Sequence, residues 1–499
     1  MLQLTEVVKI RRRILAQVAK LTFEGELDRD NIVHVLDNIV TEKGPRYRCC
    51  VHKERAVIKD RVKFIMSQPL NMGIAEAARH ALSGQIADMP VINIMPEACD
   101  QCPIDTFFIT NACRNCVAHN CIASCPKNAI SVVQNQAYID KTRCVECGLC
   151  KKSCMYGAIV EISRPCESAC EIGAIKADKE RQAVINYEKC VQCGGCKMAC
   201  PFGAITEQSF IVQTIQQMKA GKRVYGILAP AFISQFGIKV KPGQVIAALK
   251  KIGFYDVKEV SFGADIVTLE EAREFAAAVP AKRSFMTTSC CPAFVEMVNK
   301  HLPELKEYVS TTVSPMVAIG KVIKDADPEA VIVFIGPCLA KKLEARQYPG
   351  IIDYVLTFEE VEALFSAADI TLADVPEFEF VTVASRDGNS FARAGGVMQA
   401  VIDTAEKVVP DLVVKPHRAE GLGNCKNALL QLKAGKLDAN FFEGMACNGG
   451  CVGGPGILID TRVGSKMVDK FAALSSITTA ADNTEAVHKS NKNLHWHNK

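Results

Sequence analysis

The stretch Val331-Ile332-Val333-Phe334-Ile335-Gly336-Pro337-Cys338 decides how the larger part of this chain is interpreted. It is a run of apolar residues that ends at glycine, proline and cysteine, which is typical of a buried strand leading into a loop. Residues 224–229 and 380–383 predict further strands, and helix-like segments at 242–251 and 269–278 alternate with them. This alternation predicts an α/β fold with mostly parallel sheets, in which ligands gather where strands end.

Cys338 belongs with three other cysteines that lie beside proline or glycine. Cys291 lies in Thr288-Ser289-Cys290-Cys291-Pro292, and the other two lie in Met445-Ala446-Cys447-Asn448-Gly449-Gly450-Cys451. Such neighbours let the backbone approach a bulky inorganic ligand, so these residues predict a four-thiolate site for an iron–sulfur cubane. Cys425 lacks such neighbours and is interpreted as a small buried hydrophobic residue.

The composition predicts a cytoplasmic protein of several domains. The chain has 499 residues, 49% of them hydrophobic, and its net charge of +4 gives no reason to expect a nucleic-acid partner. No apolar run reaches the ~18 residues of a membrane span, and charges interrupt the early apolar runs, so neither a membrane segment nor a signal peptide is expected. The basic run Arg11-Arg12-Arg13 is interpreted as a solvated helix face.

The cysteine count of 24 indicates metal binding rather than disulfides, because the cytoplasm keeps thiols reduced. Residues 96–206 hold three complete cysteine units and a shortened one, Cys166 and Cys170, and each leads into a phrase such as Gly203-Ala204-Ile205. Closely spaced thiolates of one unit reach three irons of a cubane, and a fourth thiolate serves the cluster of a paired unit. Zinc would account for one or two Cys-x-x-Cys pairs but not for these runs.

Cys99 and Cys102 add one more pair, which is either structural or part of the cluster region. With it, the region has ligands for four 4Fe–4S clusters, and we expect two to four of them, with their pairing left open. The candidate ligands are Cys99, Cys102, Cys113, Cys116, Cys121, Cys125, Cys144, Cys147, Cys150, Cys154, Cys166, Cys170, Cys190, Cys193, Cys196 and Cys200.

Three segments resemble the signature segments of FeFe hydrogenases. They are residues 288–292, residues 337–344 with the sequence Pro-Cys-Leu-Ala-Lys-Lys-Leu-Glu, and residues 443–451 with the sequence Glu-Gly-Met-Ala-Cys-Asn-Gly-Gly-Cys. Residues 229–231, 262–265 and 395–398 are similar to further segments of that family. Departures from the common pattern resemble its group B branch: Phe294, Gly336 and Gly453-Gly454-Pro455-Gly456.

This resemblance implies an H-cluster, which is a 4Fe–4S cubane bridged to a 2Fe unit with CO, cyanide and a dithiolate amine. Cys291, Cys338, Cys447 and Cys451 would hold the cubane, and Cys451 would bridge to the 2Fe unit. Lys341 would donate to a cyanide ligand, as suits an anionic acceptor. The cofactor pocket would also be lined by Met445, Ala229 and Pro230.

The resemblance also implies a proton relay that begins at Cys290, whose thiol is not among the cubane ligands. The relay would continue through Glu271, Ser310 and Glu274. Glu271 and Glu274 are three residues apart and share a helix face, although solvated helix carboxylates are the alternative interpretation. The arginine that many members carry at the outer end is replaced by Ala278.

We therefore expect four regions. They are a mainly helical region at 1–95, a ferredoxin-like multi-cluster domain at 96–210, a two-lobed α/β iron-hydrogenase catalytic domain at 220–465 and a tail at 466–499. Residues 490–499 read as disordered polar sequence, and His495-Trp496-His497 within them is interpreted as incidental.

The predicted activity is that of an iron hydrogenase, which interconverts H2 with two protons and two electrons carried by the 4Fe–4S clusters. The expected partners are ferredoxin or a similar low-potential carrier, maturation proteins for the H-cluster, H2 and protons, with neither nucleic acid nor membrane. A cluster assembly or scaffold protein and an H2 sensor are the alternatives. A plain multi-cluster ferredoxin would leave residues 220–460 without a purpose.

Overall fold

The computed structural model of the protein describes most of the chain. The ranges it describes are 4–40, 47–100, 102–103, 105–178, 182–378, 380–409, 412–492 and 494–497. Within them, no helix combines the length and the apolar character needed to cross a membrane.

The N-terminal region is helical, as predicted. Its helices are α1 (Glu6–Glu24), α2 (Arg29–Ile39), α3 (Val51–Ile65) and α4 (Ile74–Leu82). The Thr5 side chain accepts a hydrogen bond from the backbone N–H of Val8 at the start of α1, and Gly25 ends the helix in the left-handed conformation. The apolar face of α1 joins the core of the catalytic region, so the N-terminal helices pack on it rather than standing apart.

The prediction of a solvated face for Arg11-Arg12-Arg13 is wrong for Arg11 and Arg12, whereas Arg13 is exposed. The Arg11 guanidinium donates two hydrogen bonds, of 2.8 and 2.9 Å, to the buried carboxylate of Glu359, and Arg12 lies 3.5 Å from it. Arg13 donates to the carbonyl of Asn38. The buried carboxylate lies on a distant part of the chain, so no local pattern around the arginines indicated it.

The cluster region consists of short helices and two-stranded antiparallel ladders. The pairs are β1 with β8, β2 with β5, β3 with β4 and β6 with β7. Because β1 lies upstream of residue 96, the N-terminal and cluster regions share a ladder. The strands are β1 (Ile92–Ile94), β2 (Phe107–Ile109), β3 (Ile130–Val133), β4 (Gln136–Ile139), β5 (Ile159–Glu161), β6 (Ile175–Ala177), β7 (Ala183–Ile185) and β8 (Ile205–Glu207), and the helices are α5 (Asn120–Ala123), α6 (Leu149–Ser153), α7 (Pro165–Ser168) and α8 (Gly195–Ala199).

Residues 220–465 contain two parallel sheets covered by helices, which confirms the α/β prediction. The first has the order β10-β9-β12-β13 and the second has the order β11-β15-β14. Strand β12 lies inside the first sheet and is almost wholly buried, as its apolar sequence predicts. The strands are β9 (Val224–Leu228), β10 (Asp256–Glu259), β11 (Met286–Thr287), β12 (Val331–Gly336), β13 (Tyr354–Thr357), β14 (Pro416–Glu420) and β15 (Phe441–Met445).

Helices pack against both sheets. They are α9 (Ile211–Lys219), α10 (Pro242–Lys251), α11 (Val260–Ala278), α12 (Pro292–His301), α13 (Pro315–Ala326), α14 (Ala340–Gln347), α15 (Phe358–Ala367), α16 (Arg386–Ser390), α17 (Gly396–Val408), α18 (Leu422–Lys433), α19 (Thr461–Ala472) and α20 (Thr484–Ser490). Short 3₁₀ turns occupy Pro96–Ala98, Pro230–Phe232, Pro303–Tyr308, Leu372–Asp374, Gly450–Gly453 and Ala480–Asp482.

The strand predicted at residues 380–383 is wrong. This described segment has no regular structure, and the side chains of Val381 and Val383 are exposed. The Thr382 hydroxyl and the Val383 N–H donate to the carboxylate of Glu259, so a side chain replaces the strand partner. The β-branched composition alone could not distinguish these two situations.

The prediction of a disordered end is also wrong for the residues that the structure describes between 490 and 497. Trp496 is buried, and its indole N–H donates to the carbonyl of Ser490 at 3.0 Å. The backbone N–H of Val313 donates to the carbonyl of Trp496 at 2.8 Å. One aromatic side chain therefore anchors a segment whose remaining composition is polar.

Candidate active site and cluster-binding sites

The predicted cubane ligands meet where strands of the two sheets end. Cys338 follows β12 of the first sheet, Cys291 follows β11 of the second, and Cys447 and Cys451 follow β15. All four, together with Cys290, line one cavity between the two sheets. The carboxyl ends of parallel strands therefore bring together cysteines that are far apart in the sequence.

The four thiols fit a metal cluster by their chemistry. Burial raises the pKa of each thiol, to about 12 for Cys451, and neighbouring thiols of the set raise the values of Cys338, Cys447 and Cys451 further. The set would therefore be protonated by itself, whereas cationic irons stabilise it as thiolates. No group of described Cys, His, Asp or Glu side chains converges as the ligands of a single metal ion would. A cubane has no such requirement, because each thiolate binds a different iron.

A glycine makes the close approach around Cys451 possible. Gly450 has φ +82°, and a β-carbon on it would lie 2.6 Å from the backbone nitrogen of Ala394. Both its conformation and its surroundings exclude a side chain. The loop that carries Cys447 and Cys451 is thereby held against the segment that precedes α17.

Lys341 lies on the cavity wall in the first turn of α14. Its ammonium donates to the carboxylate of Glu344 at 2.6 Å and to the backbone carbonyl of Cys290 at 3.2 Å. These contacts use two of the three N–H bonds of a lysine, which leaves one for a group inside the cavity. The buried carboxylate of Glu344 supplies the charge that keeps Lys341 protonated. The pKa of Lys341 is therefore raised, although burial alone would lower it.

Cys290 points into the same cavity. It packs near Met445 and Phe391, and it lies close enough to Glu271 for burial first and the glutamate charge second to raise its pKa. Glu271 is buried and accepts hydrogen bonds from the backbone N–H of Ser289 at 3.1 Å and from its hydroxyl at 3.3 Å. The structure thus brings Cys290 and Glu271 together behind the cubane ligands.

Ser310 and Glu274 form the outer half of the predicted relay. The Ser310 hydroxyl donates to the Glu274 carboxylate at 2.7 Å, and the backbone N–H and hydroxyl of Thr311 also donate to it. Burial alone would raise the pKa of Glu274, but these donors and the Arg283 guanidinium lower it. Arg283 lies 2.7 Å from Glu274, so an arginine from the loop after α11 stands beside the carboxylate although the helix carries Ala278.

Sequence reasoning missed Glu443 as a residue that positions the site. Its buried carboxylate accepts hydrogen bonds from the backbone N–H groups of Gly395 at 2.6 Å and Met398 at 2.7 Å. It therefore joins the end of β15, which leads to Cys447, to the start of α17. The signal was present in the sequence, since a glutamate inside an apolar strand needs a buried partner.

The departures from the common family pattern have a packing explanation. A β-carbon on Gly336 would lie 2.5 Å from the ring of Phe334, which lines the cavity. Phe334 thus fills the space into which a larger residue at position 336 would extend. The ring of Phe294 is fully buried against Gly444, where a β-carbon would lie 2.2 Å from it.

The repeated phrase of the cluster region has a local structural role. The N–H of its alanine donates to the sulfur of the last cysteine of the same unit at 3.1 to 3.4 Å, in the pairs Ala129–Cys125, Ala158–Cys154, Ala174–Cys170 and Ala204–Cys200. The residue before the alanine has positive φ, which favours the glycine or asparagine found there. The isoleucine after it is buried.

The structure also groups the cluster cysteines by proximity. Cys166 has Cys99, Cys102 and Cys200 as neighbours, and Cys196 has Cys170, Cys190 and Cys193. Burial raises the pKa values of Cys166 and Cys196, and the charges of these neighbours raise them further. Cys121 neighbours Cys113 and Cys154. One small cavity is lined by Cys125, Cys144, Cys147 and Cys150.

By its spacing, Cys116 would join Cys113, Cys121 and Cys154, which would give four sets of four. Cys99 and Cys102 lie close enough to Cys166 to supply what the shortened unit lacks. The set of Cys196 is adjacent to the cavity, because Cys193 neighbours both Cys291 and Cys447. The set of Cys196 is therefore the one placed to exchange electrons with a cluster in the cavity.

Comparison with known proteins adds two family matches. Residues 222–455 match the family described as iron only hydrogenase large subunit, C-terminal domain, and residues 183–206 match a 4Fe–4S binding domain. The second match supports 4Fe–4S clusters in the cluster region.

Three relatives represent the range of similar proteins. Iron hydrogenase 1 of Clostridium pasteurianum is 29% identical over 44% of this chain and 46% of its own length. The periplasmic Fe hydrogenase large subunit of Nitratidesulfovibrio vulgaris is 30% identical over 50% of this chain and 72% of its length. The cytosolic Fe–S cluster assembly factor narfl of Danio rerio is 26% identical over 42% of this chain and 64% of its length. The chain thus spans less than half of the first relative.

A solved structure shows the same fold. It is an FeFe hydrogenase described for oxygen inactivation that begins with modification and degradation of the 2Fe subcluster of the H cluster. The match has a TM-score of 0.50 at 24% identity and covers 58% of this chain and 95% of that one.

Proposed function

Because the chain belongs to the iron-only hydrogenase family, we propose that it catalyses the reversible conversion of two protons and two electrons to H2 at an H-cluster. The observation that carries the proposal is Cys290, a thiol outside the four-cysteine set that lines the same cavity and has Glu271 behind it. Ligation of a cluster needs no such pair, whereas proton transfer does.

The cavity residues would hold the cofactor as the family pattern implies. Cys291, Cys338, Cys447 and Cys451 would ligate the cubane, with Cys451 bridging to the 2Fe unit. When bound, the 2Fe unit supplies an open iron position at which the H–H bond forms or breaks. The protein supplies ligation, orientation and proton transfer around it.

Lys341 orients the cofactor from the cavity wall. Its free N–H is available to a cyanide ligand, and Glu344 keeps the ammonium charged. Ala229, Pro230 and Met445 contribute apolar surface that excludes water from the cavity. The polar groups there are few, so the direction in which a charged ligand can bind is restricted.

Protons would reach the cavity through Cys290. The Cys290 thiol would donate its proton toward the inside of the cavity and would be reprotonated from the side of Glu271. Ser310 and Glu274 supply protons from farther out. Each member of this path lies on a rigid element or on a loop fixed by several hydrogen bonds, so the geometry is preorganised.

Electrons would pass through the sets of cluster cysteines. The set that includes Cys125 and Cys144 lies in the part of the chain with strongly exposed apolar residues, Val117 and Met155. Exposed Arg114 and Lys152 are basic neighbours in the sequence, which fits an acidic carrier such as a ferredoxin.

Charge reversal tests this partner surface. Arg114→Glu together with Lys152→Glu should lower the rate with a reduced ferredoxin severalfold at low salt, with little change when a small dye donates electrons. Reversal at Lys436, on the exposed surface after α18, is the matched control. Equal rates of the double variant and the wild type with ferredoxin would contradict the proposal.

The hydrogenase proposal itself is tested by anaerobic maturation with a 2Fe unit. Infrared spectra should show CO and cyanide bands, and reduced dye should drive H2 production. Cys290→Ser should keep the bands and lose most turnover, while Cys49→Ser, an exposed thiol, should change neither. Complete maturation without CO and cyanide bands would overturn the assignment.

A cluster-assembly role is the second candidate, and the similarity to the narfl protein supports it. In that case the chain would bind 4Fe–4S clusters and transfer one to an acceptor protein without producing H2. Cluster transfer measured with an apo-ferredoxin acceptor would distinguish the two roles. An H2 sensor would instead show the infrared bands with very low turnover.

We further propose that the protein works in the cytoplasm with maturation proteins for the 2Fe unit. Twenty-four cysteines suit a reducing compartment. Cell fractionation followed by immunodetection tests the location. Expression with and without the maturation proteins, compared by the infrared bands, tests the need for them.

A further inference from the structure

The C-terminal segment around Trp496 lies against the elements that carry the outer half of the relay. Trp496 is buried, and the residue after it, His497, forms a β-bridge with Thr312. Lys321 of α13 donates to the backbone carbonyls of Leu494 and His495. The position of the His497 side chain is therefore fixed by backbone contacts and by its aromatic neighbour.

His497 contacts three polar groups of the relay region through its two ring nitrogens. Nδ1 lies 3.0 Å from the hydroxyl oxygen of Thr311, and Nε2 lies 3.2 Å from a carboxylate oxygen of Glu270. The Thr311 hydroxyl in turn donates to Glu274 at 3.1 Å. The Thr312 hydroxyl lies 3.5 Å from Nδ1 and also donates to Glu274, at 3.2 Å. The direct distance from Nδ1 to Glu274 is 3.8 Å, so the hydroxyls link the two groups, and the Thr311 hydroxyl makes the shorter contact with the ring.

Solvent exposure separates these groups. The side chain of His497 is 41% exposed, whereas the side chains of Glu270 and Glu274 are only 10% and 11% exposed. The imidazole therefore stands between bulk water and two nearly buried carboxylates. Histidine is also the side chain whose charge changes most readily near neutral pH.

We propose that His497 is the surface residue through which the proton path exchanges protons with water. The inference rests on the hydrogenase function proposed above. In the direction of H2 formation, Nδ1–H gives its proton to the Thr311 oxygen while the Thr311 hydroxyl gives its own proton to Glu274. The neutral imidazole then takes a proton from water, and H2 oxidation reverses both transfers.

The charges around His497 favour its protonated form. Glu270, Glu271 and Glu274 of α11 face it, and the cations nearby are Arg273, Arg283 and Lys321. Arg273 pairs with Glu270, Arg283 pairs with Glu274, and Lys321 is bound to backbone carbonyls. The hydrogen bond with Glu270 is the largest influence and raises the pKa of His497, burial opposes it, and the glutamate charges add to the rise.

A structural role for His497, as an anchor of the C-terminal segment, is the alternative. Trp496 already provides an anchor with its buried ring and its indole hydrogen bonds. If His497 were only an anchor, its substitution would lower the stability of the protein but would leave the pH dependence of H2 production unchanged. The two roles therefore differ in a measurable way.

The first test uses His497→Gln, which keeps hydrogen-bonding groups but cannot titrate. At neutral pH its H2 production should fall by about tenfold. This is less than the roughly 10²-fold that positioned proton-transfer groups typically contribute, because water can partly replace the imidazole. The wild-type rate should decline as the pH rises through the raised pKa of His497, and that inflection should be absent from the variant. Added imidazole should restore part of the rate.

The matched control is His495→Asn, since His495 is exposed, lies two residues away and has a positive φ that asparagine tolerates. It should keep the wild-type rate and pH profile. Glu270→Gln provides a second variant in case His497→Gln fails to fold, and it should move the inflection to lower pH. A wild-type profile for either His497→Gln or Glu270→Gln would overturn the inference.

The second test is independent of turnover. Diethyl pyrocarbonate modifies neutral imidazole, so the rate of modification of each histidine against pH, read by peptide mass spectrometry, reports its titration. In protein that holds its 4Fe–4S clusters, His497 should be protected to higher pH than His495, and Glu270→Gln should reduce the difference. Equal titration of both histidines would overturn the inference. If the wild type produced no H2 after full maturation, the proposed function would fail and the inference with it, whereas failure of the variants alone would leave the function intact.

Discussion

The cluster region and the catalytic cavity use the same ligand chemistry but achieve it in different ways. In the cluster region, the alanine N–H that contacts each cysteine sulfur lies four residues away in the sequence, as in Ala174 and Cys170. In the cavity, the cysteines come from the ends of strands in two sheets, and distant residues such as Glu443 hold those ends together. From this difference we expect locally encoded sites to tolerate change around them, and a site assembled over long range to depend on close packing.

Glycine substitutions should break this comparison most clearly. Gly450→Ala places a β-carbon 2.6 Å from a backbone nitrogen in a left-handed residue, so we expect loss of the catalytic cubane and of all H2 production. Gly157 also has positive φ but has nothing within 4 Å of a β-carbon, so Gly157→Ala should cost only about 1–2 kcal/mol and keep its clusters. Iron content and electron paramagnetic resonance of reduced protein measure both.

Equal iron loss in the two variants would show that backbone conformation rather than packing limits both sites. The comparison would then lose its physical basis. Retention of the catalytic cubane in Gly450→Ala would contradict the geometry around Ala394.

Removal of a long-range contact should have the next largest effect. In Glu443→Gln, the side-chain NH2 group faces one of the two backbone N–H donors and cannot accept its hydrogen bond. Leaving a buried donor without an acceptor lowers the free energy of unfolding by about 1–3 kcal/mol. We expect a lower melting temperature under anaerobic conditions and weaker binding of the catalytic cubane, with the other clusters unaffected. Asp438→Asn, at an exposed carboxylate, is the control. Unchanged melting of Glu443→Gln would show that the contact is not a stabilising one.

A smaller effect is expected from restoring the common family residue at position 336. Gly336→Met brings a side chain against the ring of Phe334, which should cost about 1–3 kcal/mol through overpacking. Adding Phe334→Ala should recover part of the loss, because it opens the space that the methionine needs. Thermal melting and the infrared bands of the matured protein report the outcome. If the single variant were as stable as the wild type, the packing explanation for Gly336 would be wrong.

The sequence predicted the parts of the molecule that depend on local pattern. The buried strands at 224–228 and 331–336, the helix Pro242–Lys251 and the buried Cys425 are all present. The cysteine units were recognisable because their spacing is set by one loop and one cluster. The positions of the four cavity cysteines followed from strand ends together with the family resemblance.

The rest could not be predicted because it depends on contacts between distant segments. Arg11 pairs with Glu359 across 348 residues of sequence. Cys166 has Cys99 and Cys102, from far upstream, as neighbours in its set. The segment 380–383 has strand-like residues, but a glutamate side chain takes the place of the partner strand. Trp496 orders a polar tail because the pocket that accepts it is formed elsewhere.

Strand β1 pairs with β8, and Cys99 belongs to the same set of cluster cysteines as Cys200. This arrangement has a consequence for the order of synthesis on the ribosome. The set of Cys190 is completed by Cys196, and the set of Cys166 is completed by Cys200. Both sets therefore become complete almost together in the growing chain. The cavity set is complete only when Cys451 has been made, and His497 follows it in the sequence. In the proposed function, the route for electrons would therefore be complete in the growing chain before the site that it serves, and the route for protons after it.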